Sequence, residues 1–333
     1  MPTTIPDDAA LGAILGALVG DASGAVLEFF EGTPGPSDVE RALALPGGGV
    51  WSVAPGQVTD DGELTMSLLR ALVEHPNEPT RGAAERYAAW VDSGPFDIGA
   101  TTARSLGCTR DPAWAARARE AGVHVAMTEA ARERCMPSKA NGSLMRATPL
   151  GVWGALRTDD ALIAAARADC TLSHPNPACV DAVVIYTLAI ASLVRVPGDV
   201  RRAIERAGAW ARENACEEVR GWLDGALAGE AAPFTPQDGF VRIGFMHAFR
   251  HLAQGTPYVA ALRATLEGGG DTDTNACIVG GLLGARDGAE AIPLPMRSGV
   301  LGCDTRKGAN PRPIELHPGD VPQLVHALLH GSA

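Results

Sequence analysis

The chain has no C-x-x-C pair, and its seven cysteines (108, 135, 170, 179, 216, 277 and 303) are scattered and odd in number. That spacing argues against both a disulfide framework and a cysteine-ligated zinc site. No G-x-x-x-x-G-K-[ST] is present, so there is no P-loop. No G-x-G-x-x-G follows a strand and no G-x-S-x-G occurs, which removes the Rossmann cofactor site and the nucleophile elbow. No apolar run reaches the length of a membrane span without a glycine or a charge. Residues 1–10 carry Asp7 and Asp8 and no basic stretch, unlike a signal peptide. Positive charge is also in deficit. A net charge of −11 gives no bulk attraction for nucleic acid or anionic lipid. The expectation is a cytoplasmic protein, monomeric, with no membrane association and no general nucleic-acid binding.

What is present is a helical pattern. The 333 residues, 46% hydrophobic and 20% charged, suffice for a sizeable core. Leu11, Ile14, Leu15, Leu18 and Val19 recur at helical spacing. The small residues between them (Gly12, Ala13, Gly16, Ala17) predict close contact with another helix. Helices are expected over 64–72, 81–91, most of 114–135, 159–168, 180–191, 200–228, 240–253, 256–266, from 276 to 285, and near 321–329. Residues 32–56 read as one long irregular loop, and Thr101 or Thr102 as a helix cap. With ten to thirteen helices, no alternating strand and no fixed-period repeat, the chain is predicted to be all-α, a single compact domain over 1–333.

Two polar clusters stand out. Gly268-Gly269-Gly270 leads into Asp271, Asp273 and Thr274, directly ahead of an apolar stretch. Two hundred residues earlier, Thr59-Asp60-Asp61 precedes another. Helix capping accounts for one carboxylate in each, but two within three residues repel unless a cation or several N–H donors offset them. All-oxygen donor sets favour Mg²⁺ or Mn²⁺ over Zn²⁺, and four carboxylates could hold two ions ~3.5–4 Å apart. The clusters are therefore expected to meet in space around divalent metal. Asn141-Gly142-Ser143 has the character of a backbone nest for phosphate. Glu28 lies in an apolar setting. His174 occupies a Pro-bounded turn, and His247 and His251, at i and i+4, lack a third ligand and read as structural.

In order, Gly20-Asp21-Ala22 with Glu28, Thr59-Asp60-Asp61, Pro95 to Thr102, Asn141-Gly142-Ser143 with Met145-Arg146, Ser173-His174-Pro175, and Gly269 to Thr274 resemble the motifs of the ADP-ribosylglycohydrolase family. The resemblance covers about 10–293, with 294–333 divergent. It implies an all-α fold with two Mg²⁺, or Mn²⁺ in their place, at the base of a cleft. The implied metal ligands are Thr59, Asp60, Asp61, Asp271, Asp273 and Thr274. Gly99, Asn141, Gly142, Ser143, Met145 and His174 would contact the ADP-ribose moiety of a modified protein or small molecule. Glu28, Asp60, Asp61 and Asp97 would be catalytic. Asp21 is expected to support the end of the first helix. Ala100 departs from the Asn often found in arginine-directed bacterial members.

The expected activity is metal-dependent hydrolysis of the glycosidic bond at the distal ribose. Cleavage there builds oxocarbenium-like charge, which neighbouring carboxylates stabilise. Two alternatives are weighed beside it: a two-metal phosphoesterase or diphosphatase, and a non-catalytic ADP-ribose-binding relative.

Overall fold

The computed structural model describes residues 7–331. Among them are seventeen α-helices and no strand, only two isolated bridges, Gly48 with Val53 and Ala140 with Phe240. The all-α expectation holds.

The scaffold is organised on a pair of helices from opposite ends of the chain, Asp7–Gly24 and Thr272–Asp287. Glycines 12, 16, 20 and 24 recur every four residues and form one ridge of the first helix. They face Gly284, Gly280, Ala276 and Asp273 on the second. A Cβ on Gly16 would lie 2.3 Å from the Gly280 carbonyl oxygen, and one on Gly24 would lie 2.3 Å from Asp273 Cα. The backbones therefore meet directly, and the last contact sets the depth of Asp273. Thr272 Oγ1 closes the pair by donating to the Gly24 carbonyl at 2.8 Å.

The helix Pro177–Arg195 is long and apolar enough to cross a membrane by length and composition, although Asp181 interrupts its apolar run as the sequence indicated; 89% of that stretch is buried inside the protein. It packs against the helices Thr148–Gly154, Asp159–Thr171 and Val200–Asn214. Its one acidic residue, Asp181, accepts from the Cys216 amide at 2.8 Å.

Several boundaries differ from the periodicity. The stretch 32–56 contains a helix, Pro36–Leu43, opened by Pro36 and by Asp38, whose carboxylate accepts from the Gly35 amide at 3.1 Å. Only Val39, Ala42 and Leu43 are buried there, too few for a visible period. The segment 114–135 is two helices, broken at Gly122, whose φ of 99° lies outside the helical region. Neither Thr101 nor Thr102 caps the next helix; it begins at Ala100 with Gly99 as its cap. Beyond Asp287 the chain adds a helix, Leu294–Leu301, and short 3₁₀ turns before the last helix, Val321–His330.

Candidate active site

Asp60 and Asp61 open the helix Asp60–Glu74, and Asp271 precedes the helix that carries Asp273 and Thr274. Gly269 and Gly270, at φ of 68° and 69°, make the left-handed turn that brings the chain into that second helix. Packing brings the two starts together. Thr59 Oγ1 lies 3.2 Å from Asp273 Oδ2 and 3.4 Å from Asp61 Oδ2, and Thr274 Oγ1 donates to Asp61 Oδ2 at 3.2 Å.

Asp21, wholly buried, secures this junction from below. It accepts from the Thr59 amide at 3.1 Å, the Thr59 hydroxyl at 2.9 Å and the Gly62 amide at 2.7 Å. Although it belongs to the last turn of the first helix, its carboxylate caps the start of the Asp60 helix. Its expected supporting role is thus exerted on a different helix.

Above the junction, carboxylate oxygens of Glu28, Asp97 and Asp273 lie within 4.8 Å of one another. Asp60 and Asp271 also line the cleft, and Asp271 Oδ2 accepts from Asn141 Nδ2 at 2.7 Å. Burial, reinforced by the neighbouring carboxylates, holds Asp60, Asp61 and Asp273 well above the usual carboxylate range. Burial and then Asp97 push Glu28 up to about 8; burial and then Asp271 push Asp97 up to about 6. Burial raises Asp21 to about 7 in spite of its hydrogen bonds from Thr59 and Gly62.

Two oxygens at the base, Asp61 Oδ1 and Asp273 Oδ1, are buried and accept no hydrogen bond. A buried acceptor with no donor is costly, and a hard cation satisfies it. The donor set, all carboxylate and hydroxyl oxygen, suits such an ion.

The cleft above has a volume of about 730 Å³, within the range of small-molecule sites. Gly99, Asn141, Gly142, Met145 and His174 line it. Burial and then Arg146 depress His174 to about 3, so the ring is neutral; its Nδ1 pairs with the Ser173 hydroxyl at 2.8 Å. Ser143, expected in the substrate wall, is fully buried behind it, and its hydroxyl contacts Cys170 Sγ at 3.3 Å. Thr59 and Asp61 lie beneath the cleft floor rather than on it. His247 and His251 bond to the Ala232 carbonyl and the Thr256 hydroxyl, away from the cleft.

The loop 141–145 is braced from both sides. The Asn141 amide donates to the Gly239 carbonyl at 2.9 Å and the Val241 amide to the Lys139 carbonyl at 2.9 Å. Behind it, the buried Arg146 donates to the Gly142 carbonyl at 3.1 Å and pairs with Asp169, which also accepts from the Tyr87 hydroxyl at 2.8 Å.

The sequence did not single out the aromatic side of the cleft. Trp51 Nε1 donates to Glu28 Oε2 at 2.6 Å, and its ring packs between Phe29 and Phe96 at 6.3 and 6.0 Å. Asp238 and Gly239 line the opposite approach beside Asp271. The one sequence signal among them was for Trp51, which lies at the end of the long loop 32–56 before Thr59. Among the described residues no Lys or Arg lines the cleft.

The ADP-ribosylglycohydrolase family profile matches residues 2–325, reaching well into the segment that begins at 294. A protein of Acanthamoeba polyphaga mimivirus that carries the name ADP-ribosyl glycohydrolase is 28% identical over 327 residues, covering 91% of this chain and 93% of its own. The ADP-ribosyl-[dinitrogen reductase] glycohydrolase of Rhodospirillum rubrum is 30% identical over 296 residues, covering 86% of this chain and 88% of its own. A solved structure described as an ADP-ribosylglycohydrolase-related protein complex shares the fold. Its TM-score is 0.74 at 23% identity, with 98% of this chain and 99% of that one covered. The chain belongs to the ADP-ribosylglycohydrolase family, hydrolases of glycosidic bonds.

Proposed function

We propose that this chain removes ADP-ribose from a modified side chain or other acceptor by metal-dependent hydrolysis of the glycosidic bond at the distal ribose. The observation that carries the metal dependence is the pair of undonated, buried oxygens, Asp61 Oδ1 and Asp273 Oδ1, among crowded carboxylates. Thr59, Asp60, Asp61, Asp271, Asp273 and Thr274 would hold two Mg²⁺, or Mn²⁺ in their place. When bound, such ions supply Lewis acidity toward the ribose hydroxyls and toward water.

The chain's own residues do the rest. The Asn141–Gly142 turn and the neutral His174 face the diphosphate and ribose without adding charge. With no Lys or Arg on the wall, backbone amides and the cation site are left to offset the diphosphate. Glu28 and Asp97 are the carboxylates proposed for proton transfer. Trp51 occupies Glu28 Oε2, so Oε1 is the oxygen left to hold or take up the proton. Water oxygen bonds to the anomeric carbon, its proton passes to a carboxylate, and the departing nitrogen or oxygen is protonated in turn.

The test offers the protein ADP-ribosyl-arginine, ADP-ribosyl-serine and poly(ADP-ribose) with Mg²⁺ or Mn²⁺ and measures the products. Free ADP-ribose, lost on chelation and restored by metal, is the expected result. AMP or phosphate in its place would replace this reading with diphosphatase chemistry. Tight binding of ADP-ribose without turnover on any substrate would leave a binding protein.

A further inference from the structure

The stretch Gly308 to Arg312 lies outside every motif that resembles the family, yet it reaches three elements that position the site's carboxylates. The Arg312 side chain, 5% exposed, pairs with Glu63, 2% exposed. Its Nε donates to Oε1 at 2.7 Å and its Nη2 to Oε2 at 3.0 Å. Glu63 stands in the first turn of the helix that Asp60 and Asp61 open, and also accepts from Trp90 Nε1 at 2.7 Å. The rest of the guanidinium turns to the loop that leads to Asp97. Nη1 donates to the Ser93 and Gly94 carbonyls at 3.2 and 3.1 Å, and Nη2 to the Ser93 hydroxyl at 2.8 Å.

Two residues earlier, Asn310 Nδ2 donates to the Trp51 carbonyl at 2.7 Å, and the Asn310 carbonyl accepts from Gln57 Nε2 at 2.8 Å. The Ala309 amide donates to the Ser52 carbonyl at 2.9 Å. Trp51 is the donor to Glu28. One short segment therefore joins the Asp60 helix, the Asp97 loop and the partner of Glu28.

We propose that residues 308–312 form a positioning strap, in which Arg312 sets the Asp97 loop against the Asp60 helix and Asn310 fixes Trp51 and, through it, Glu28. A buried ion pair adds little stability over a well-packed apolar pair, so stability alone explains this arrangement poorly. Its distinctive property is geometry: a rigid planar fork spends its donors on one carboxylate and two loop carbonyls, which a lysine cannot reproduce. The proposal rests on the assignment of Glu28 and Asp97 to proton transfer.

The test uses full-length Arg312→Ala, Arg312→Lys and Asn310→Ala. Turnover is measured on whichever ADP-ribosylated substrate the wild type cleaves fastest, Mn²⁺ affinity by calorimetry, and amide hydrogen exchange over 51–57 and 93–98. A misplaced reacting group costs up to about a hundredfold, so kcat should fall roughly tenfold to a hundredfold in all three variants. KM and Mn²⁺ affinity should stay within about twofold, because ground-state binding is untouched. Guanidinium ion should restore part of kcat to Arg312→Ala and none to Asn310→Ala. Exchange should quicken over 93–98 in the Arg312 variants and over 51–57 in Asn310→Ala. Wild-type kcat in a folded Arg312→Ala overturns the proposal, and Asn310→Ala decides in the same way should Arg312→Ala not fold. If the wild type cleaves none of the substrates, the functional reading fails, and unchanged exchange over 93–98 in Arg312→Lys would still overturn the strap.

Discussion

Asp273 is a buried carboxylate with a hydroxyl 3.2 Å from one oxygen and no donor for the other, crowded by Glu28, Asp61 and Asp271. Asp273→Asn removes a charge that burial and its neighbours already disfavour. The metal-free variant is expected to melt at or above the metal-free wild type, while hydrolysis falls by roughly a hundredfold or more. Equal activity in both proteins at saturating metal would sink the metal role. Arg146 lies at the opposite extreme, since its partner Asp169 is also buried. Arg146→Met leaves that carboxylate without its cation, and the expected loss is roughly 3–5 kcal/mol in urea unfolding. A loss below about 1 kcal/mol, the worth of an exposed pair, would show Asp169 re-solvated. Residues that cluster in sequence were legible: Thr59 to Asp61 and Asp271 to Thr274 show excess oxygen locally. Trp51 was not, because its bond to Glu28 spans 23 residues and nothing about an isolated indole marks it. Ser143 misled for a related reason, since the turn that presents Asn141 and Gly142 to the cleft wall turns Ser143 inward.

At the scale of elements, the glycine ridge of the first helix sets the position of the second carboxylate cluster. A Cβ at Gly20 would lie 2.1 Å from the Ala276 carbonyl oxygen, and that atom belongs to helical backbone that cannot swing aside. Gly16→Ala or Gly20→Ala must therefore push the two helices apart, shifting Asp273 away from Thr59. Overpacking predicts a loss of about 1–3 kcal/mol in denaturant unfolding, with a drop in activity in protein that remains folded. Were both substitutions neutral in stability, the direct backbone contact would be wrong. The small residues Gly12, Ala13, Gly16 and Ala17 made a close helix contact readable before the partner was known, while its continuation through Gly20 and Gly24 came only with the structure. The short helices Pro36–Leu43 and Leu294–Leu301 were not readable, because each buries only two or three side chains and so has no period to detect.

For the whole molecule, the concentration of acid at one internal point makes stability depend on pH and, under the proposed function, on metal as well. Groups with raised carboxylate values bind protons in the folded state that the unfolded chain has released by about pH 4–5. Their contribution is full below the unfolded values and is lost as pH rises through the folded ones: about 6 for Asp97, about 7 for Asp21 and about 8 for Glu28. Three buried histidines act in the opposite sense. His174, at about 3, and His251, at about 4, are depressed by burial, as is His247, so their contribution grows with pH until the unfolded imidazole is neutral near about 7. Above that the carboxylates act alone until about pH 8, where the thiols, all raised by burial, begin to add to the loss. The metal-free protein is therefore expected to lose melting temperature from about pH 7 to about pH 8 through the carboxylates, and onward to about pH 9 through the thiols. The proposed cations, on binding the ionised cluster, would compensate the carboxylate part of that loss and release protons. In thermal melts across that range, with chelator or with Mg²⁺, the stabilisation by metal should widen as pH rises, and calorimetry in buffers of different ionisation heat should detect the released protons. Parallel melting curves with no proton release would mean that the carboxylates at the cleft base are not where the cation binds.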